Sequence, residues 1–336
     1  MATLAEWKEI IEQYWQGPDE ELCRRAFEAR KEHYGMGIYL RGLIEFSNYC
    51  KNNCYYCGIR AGNSAVRRYR LTREEILSAC AEGNRLGFHT FVLQGGEDPG
   101  ISDSEICETV WAIKNRYPHC AVTLSIGEKT EDAYRAFFSA GADRYLLRHE
   151  TADSRHYSRL HPPVLTLENR KKCLYTLREI GFQVGAGFMV GSPFQTAETL
   201  AADMVFLEEL RPHMVGLGPF LPHKETPFRD EPSGSLALTL TMLCLVRLAL
   251  PKVLLPATTA LATLAEDGRE RGLACGANVV MPNLSPPSVR KDYSLYDNKK
   301  CTGDEAAEAI SLLKKQVEKS GFFLDFSRGD SLMDVQ

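Results

Sequence analysis

Cys50, Cys54 and Cys57 lie within eight residues, in the run CKNNCYYC. Thiolates are soft donors that suit zinc and iron–sulfur clusters. A structural zinc site normally closes with four ligands, often as two C-x2-C pairs, and here one triplet stands with no fourth cysteine or histidine nearby. Zinc completed by a distant histidine, or three unligated thiols, are the alternatives. A 4Fe–4S cube usually takes four thiolates. Held by three, it keeps one iron with an open position, and that is a site for chemistry. The remaining eight of the eleven cysteines are scattered singly. Each reads as a small buried hydrophobe.

Other runs carry chemistry-bearing groups. In Gly95-Gly96-Glu97-Asp98-Pro99 the paired glycines let a backbone approach a ligand closely. Arg144, Arg148, His149 and Glu150 surround a short apolar run, and strand alternation puts Arg144, Leu146, Arg148 and Glu150 on one face. Thr123 and Ser125 alternate in the same way. Thr258 and Thr259 offer vicinal hydroxyls beside free peptide groups, a pattern that suits a small anion. Met189 and Met214 read first as core packing.

These groups must be held by something, and the chain repeats one unit. Strand-like runs at 38–46, 89–94, 121–126, 144–149, 183–190, 213–220, 252–257 and 277–282 alternate with amphipathic stretches such as 72–87, 131–142 and 168–181. A threonine precedes the first stretch and a glycine ends it. Eight βα units are the arithmetic of an α/β fold of the (β/α)8 TIM-barrel type, with a doubly wound sheet as the alternative. The expected layout is an N-terminal helical extension (1–37), the barrel (38–300), and a C-terminal helix and tail (301–336). In such a barrel the chemistry sits in the loops that follow the strands, and that is where the cysteines fall.

Composition excludes several classes. Among 336 residues, 44% are hydrophobic and 25% charged, as in ordinary globular proteins. Forty Lys+Arg against 44 Asp+Glu give a net charge of −4 and no field that would favour nucleic acid. No stretch reads as a membrane span and the N-terminus lacks a signal-peptide layout, so a cytoplasmic protein is expected.

The C-x3-C-x2-C triplet, with Tyr56 before its last cysteine, resembles the signature of radical S-adenosylmethionine enzymes. Further runs, including IEFSNYCKNNCYYCGIR, FVLQGGEDP, ADRYLLRHETAD and PATTALATL, resemble the HydE family of FeFe-hydrogenase maturases over residues 38–300 or so. The resemblance implies one 4Fe–4S cluster on Cys50, Cys54 and Cys57. Its open iron would chelate S-adenosylmethionine, and reductive cleavage would give methionine and a 5′-deoxyadenosyl radical. It also implies cofactor contacts from Tyr56, from Gly95, Gly96, Glu97 and Asp98 through their backbone, from Glu150 and Arg170, and from Met189 and Met214. Thr123, Ser125, Thr258 and Thr259 would meet the substrate, while Arg144, Tyr293 and Tyr296 would border the reacting cavity.

The implied substrate is a small iron complex bearing CO, cyanide and cysteine, handled with partner maturases and a scaffold in building the hydrogenase active site. An internal cavity lined by Thr123, Ser125, Arg144, Thr258, Thr259, Tyr293 and Tyr296 is expected below the cluster. Some members carry a second cysteine cluster near the C-terminus; here Cys301 is the only cysteine after Cys275, so no second cluster is expected. The alternatives are a 3-methylornithine synthase of pyrrolysine biosynthesis, a biotin synthase-like sulfur inserter and, from another class, a non-catalytic iron–sulfur carrier.

Overall fold

A computed structural model describes residues 2–299 and 306–333. Cys301 lies outside them. Eleven strands are described: β1 (Gly37–Leu40), β2 (Gly42–Ser47), β3 (Thr90–Gly95), β4 (Ala121–Ser125), β5 (Arg144–Leu146), β6 (Gln183–Ala186), β7 (Met189–Val190), β8 (Met214–Val215), β9 (Gly218–Pro219), β10 (Val279–Val280) and β11 (Phe323–Asp325). β2, β3, β4, β5, β6 and β8 form a six-stranded parallel sheet in that order. β1 lies between β10 and β11, and β7 pairs with β9. Single parallel bridges continue the pairing from Met214 to Leu254, from Pro256 to Val279, and from Leu43 to Asn283.

The strand-like runs therefore fall where the backbone pairs, with differences. Arg41 interrupts the first run, and 183–190 and 213–220 each divide into two short strands. The run 252–257 pairs only through isolated bridges. Each division follows from glycine: Gly187 has φ +153°, and a Cβ there would lie 2.0 Å from the Gly216 carbonyl oxygen. β11 has no counterpart among the sequence expectations. It lies beyond the C-terminal helix and joins the free edge of β1.

The helices between the strands begin and end on readable signals. Thr72 and Ser102 make capping boxes with Glu75 and Glu105 at the starts of α3 (Arg73–Arg85) and α4 (Asp103–Arg116). Thr130 and Thr166 cap α5 (Glu131–Ser139) and α7 (Leu167–Ile180), and Gly181 closes α7 in the left-handed region. Here α1 and α2 are Leu4–Gln13 and Glu20–Tyr34, α6 is Ser154–Leu160, α8 is Ala197–Leu210 and α9 is Leu236–Ala249. The series ends with α10 (Thr259–Leu264), α11 (Gly268–Ala274), α12 (Pro287–Arg290) and α13 (Ala306–Lys319). The N-terminal helices are part of the core: Trp7 and Ile11 are buried with Leu207 and Leu210, and Trp7 Nε1 donates to Glu208 at 3.1 Å.

Register shows which way the strands face. Thr90, Val92 and Gln94 alternate on β3; Val92 pairs with Thr123, Thr123 with Arg144, and Arg144 with Gln183. Arg144 therefore faces inward with Thr123 and Leu146, but at the start of its strand. There the tail covers it, and the expectation that it borders the reacting cavity is corrected. Arg144 is fully buried and donates to Asp330 at 2.7 Å, the Arg328 carbonyl at 2.9 Å, Thr90 at 3.2 Å and Gln183 at 3.2 Å. Arg41 reaches the Gly329 carbonyl beside it. These arginines close the floor, at the opposite end of the strands from the cysteine loop.

Asp330→Ala should destabilise the fold by about 1–2 kcal/mol: Arg144 is fully buried and loses its carboxylate partner, but Asp330 is 42% exposed and screened by solvent, and Arg144 keeps its neutral acceptors. Urea unfolding measures this. Burial opposes the Asp330 charge, yet Arg144 and Arg328 hold its carboxyl down at about 2. The pair's contribution is thus complete above the ordinary Asp range and is lost as pH falls through about 2.

Candidate active site

The cysteine loop leaves the end of β2 and is tied down from three sides. Lys51 N donates to the Glu97 carbonyl at 2.9 Å, Tyr55 N to Leu160 at 3.0 Å, and Gly58 N to Leu295 at 2.9 Å. Asn48 accepts from Tyr69 N and donates to the carbonyls of Arg67 and Asp292. Arg68 donates to the carbonyls of Asn48, Ile59, Arg60 and Asn63. One guanidinium thereby organises the whole turn. Asn48 and Arg68 were not singled out from the sequence; a polar side chain serving backbone carbonyls leaves no motif.

All three cysteines are half-buried. Burial, then the neighbouring Cys57 and Cys50, pushes the Cys54 thiol up, and burial followed by Cys50 pushes Cys57 up to about 12. Three thiolates so placed need a cation. Among the described residues, they are not a set whose ligand atoms gather within 4.8 Å. One zinc at about 2.3 Å from each sulfur would need such closeness. A cube, in which each thiolate takes its own iron, does not. The donor set fits a three-cysteine iron–sulfur cluster.

Tyr56 is anchored by His161. The His161 Nδ1 faces the Tyr157 carbonyl at 3.0 Å, which can only accept, so Nδ1 carries the proton and Nε2 accepts from the Tyr56 hydroxyl at 3.1 Å. Burial holds His161 neutral by lowering its pKa to about 3. Met189 packs with Leu160, Phe220 and Phe228 beside Tyr55 and Tyr56.

The Gly95–Asp98 loop lies against the cysteines. A Cβ on Gly96 would come within 2.2 Å of the Tyr49 carbonyl oxygen and 2.7 Å of Cys50 Cβ. Gly96→Ala should therefore displace the cysteine loop and sharply lower iron retained per chain after anaerobic reconstitution, which elemental analysis measures. The acidic side chains of this loop are already engaged. Asp98 takes Arg70 at 2.7 and 2.8 Å together with Ser47 and Gly100 N. Burial opposes its charge, but these partners hold its carboxyl below the usual range. Glu97 accepts from Glu128 N at 2.8 Å and pairs with Lys51 at 3.4 Å. Backbone atoms, not these carboxylates, remain for a ligand.

Glu150 ends the β5 run at φ +65°, uncommon for a residue with a side chain, and takes Arg148 at 2.9 Å. Behind it His149 points outward to Asp203 at 3.2 Å, both fully buried. Arg170, on α7, is buried with Glu128 at 2.6 Å. Burial works against its charge, yet Tyr157, Glu128, Glu97 and Tyr56 favour it. Glu150 and Arg170 both act on the titration of Cys54 and Tyr56. Tyr56, Glu150, Arg170 and the cysteines thus occupy one electrostatic neighbourhood.

The other candidates are distributed. Tyr293 is buried over Glu45 and Gln94, within the electrostatic reach of Cys57. Lys299 lies 4.9 Å over its ring and ion-pairs with Glu45. Glu45, fully inward on β2, and Lys299 were not among the sequence candidates; strand parity was the available signal for Glu45. Tyr296 is half-exposed in the same loop, where its carbonyl accepts from Ser294 Oγ at 2.9 Å. Ser125 pairs in register with Gln94 at the top of β4. Met214 lies lower: its sulfur accepts from Arg41 at 3.0 Å and it packs with Tyr34, Leu254 and Val279.

Within the sheet is a cavity of about 30 Å³, bounded by Thr123, Leu146, Met214, Leu254 and Met281 among others. Of the seven residues expected around an internal cavity, Thr123 alone borders it, because Arg144 serves the floor and the remainder sit higher. Thr259 borders a separate side cavity of about 250 Å³ that also meets α13. Thr123 Oγ1, Thr258 Oγ1 and Arg148 Nε are buried without partners. Such orphans cost ~1–3 kcal/mol each until a guest takes them.

A thiol triplet on a loop after the first parallel strands, flanked by a glycine pair and a buried Arg/Glu set, defines a radical S-adenosylmethionine enzyme, and residues 44–207 match the family model of the Radical SAM superfamily. The chain is 44% identical over 314 residues to the FeFe hydrogenase maturase subunit HydE of Thermotoga maritima, covering 94% of this chain and 89% of that one. It belongs to the HydE family. It is also 30% identical to a 3-methylornithine synthase of Methanosarcina acetivorans over 83% of this chain and 79% of that one. Among solved structures it is similar to methylornithine synthase PylB, with TM-score 0.81, 26% identity and coverage of 96% and 94%. The maturase HydG from Carboxydothermus hydrogenoformans shares the fold, with TM-score 0.79 at 20% identity, covering 97% of this chain and 76% of that one.

Proposed function

We propose that this chain acts in assembly of the FeFe-hydrogenase active site, using one 4Fe–4S cluster on Cys50, Cys54 and Cys57 and S-adenosylmethionine. The observation that carries the reading is the three-thiol loop beside Gly96, Glu150 and Arg170, in a chain 44% identical to a HydE maturase. When bound, the cluster supplies the electron that splits the sulfonium into methionine and a 5′-deoxyadenosyl radical. The protein's part is placement. The backbone of 94–98 receives the ammonium of the methionine moiety, Arg170 its carboxylate and Glu150 the ribose hydroxyls, with Tyr56 and Met189 closing one side. Met214 serves this cofactor only at a distance, from below.

The substrate in this reading is a small iron complex carrying CO, cyanide and cysteine, passed among partner maturases and a scaffold. It would sit between Glu45, Arg148, Tyr293 and Tyr296, with Ser125, Thr258 and Thr123 below. The parallel bridges at 254–256 and 283 support closure of the sheet into an eight-stranded barrel. The proposed domains are the extension 1–37, the barrel 38–300 and the C-terminal segment 301–336, of which the described residues 328–330 meet the floor arginines. No described helix is long and apolar enough to cross a membrane, and the proposed location is the cytoplasm.

Anaerobic reconstitution tests the cofactor reading. The expected content is about four irons per chain, with 5′-deoxyadenosine released on adding S-adenosylmethionine and dithionite. About eight irons held by cysteine, or four irons with no 5′-deoxyadenosine, would overturn it.

A further inference from the structure

Three cysteines that the sequence scatters come together on elements outside the cysteine loop just described. Cys23 lies on α2, Cys244 on α9 and Cys275 caps the C-terminus of α11. Their sulfurs all lie within 4.8 Å of one another, with Cys23 and Cys275 at 3.6 Å. We propose that Cys23, Cys244 and Cys275 form a mononuclear site for a thiophilic closed-shell cation, zinc(II) being the ion to test.

The geometry separates this group from a cube and from ordinary buried thiols. Sulfurs about 2.3 Å from one zinc in a tetrahedron lie ~3.8 Å apart, so the observed spacing needs only small adjustment. Cys244 is fully buried and Cys275 nearly so, whereas Cys23 is half-buried and gives the ion an entrance. On binding, three S–H bonds break, three protons leave and three S–Zn bonds form, with no change of oxidation state. The resulting site carries a single negative charge, and a water would complete the fourth position on the half-buried Cys23 side. Such an ion would fasten the N-terminal extension to the helices outside the sheet. No local motif announces it, since the ligands are 221 and 31 residues apart.

The test uses the full chain with Cys50, Cys54 and Cys57 replaced by alanine, purified anaerobically and stripped of metal. Cobalt(II) should bind at about one ion per chain, with the charge-transfer and d–d bands of tetrahedral thiolate coordination, and zinc should displace it and raise Tm. Cys23→Ala, at the half-buried position, should reduce both to background. Should that background fail to fold, zinc in the iron-loaded wild-type chain, counted against its Cys23→Ala variant, gives the same reading. Absence of the thiolate bands, their survival in both Cys23→Ala and Cys244→Ala, or a Cys23–Cys275 disulfide in the anaerobic protein would overturn the proposal.

Discussion

Cys54→Ser should remove 5′-deoxyadenosine release altogether while leaving the chain folded. Serine nearly matches cysteine in volume, and the loop around it is held by Arg68, Asn48 and Gly58 rather than by the thiol. Losing one of three ligands exceeds the loss of a group that merely orients a ligand, which costs ~10–100-fold. Iron per chain and chromatography of the nucleoside product measure the two halves of the expectation. Product release near the wild-type rate would mean that the cluster is held elsewhere.

Arg170→Ala should weaken S-adenosylmethionine binding by ~2–5 kcal/mol, roughly thirtyfold or more, as truncation of a desolvated charge partner does. The guanidinium is buried, held by Glu128 at 2.6 Å and close to the Arg148 carbonyl at 3.3 Å, which fixes its direction. Some fold stability is also lost, because Glu128 is left half of a buried pair. Calorimetry on the folded fraction separates the two. Arg170→Lys should rescue stability better than affinity, since a point charge does not reproduce the planar fork. Unchanged affinity in both variants would show that Arg170 serves the fold alone.

Much of this was legible in the sequence because the signals are local. Threonine caps, glycine stops and apolar runs place α3, α5, α7 and the strands within a few residues, and the cysteine spacing marks the loop. Alternation also assigns the inward face of β5, with Leu146 bordering the inner cavity and His149 turned outward. What stayed hidden depends on partners far along the chain. Arg144 looked like a cavity residue until the tail brought Asp330 to it across 186 positions. Glu45 and Lys299 are 254 positions apart. Cys23, Cys244 and Cys275 each looked inert because a lone thiol in a helix usually is. Parity along a strand tells which face a side chain takes, but not at what height or what covers it.

The most direct measurement is activation of an FeFe hydrogenase lacking its finished active site. The apo-hydrogenase is supplied anaerobically with the other maturation proteins, with or without this chain and S-adenosylmethionine. Hydrogen evolution should appear only when both are present, and should be absent with Cys54→Ser. The contradicting result is no hydrogen evolution from a chain that nevertheless cleaves S-adenosylmethionine and converts lysine to 3-methylornithine.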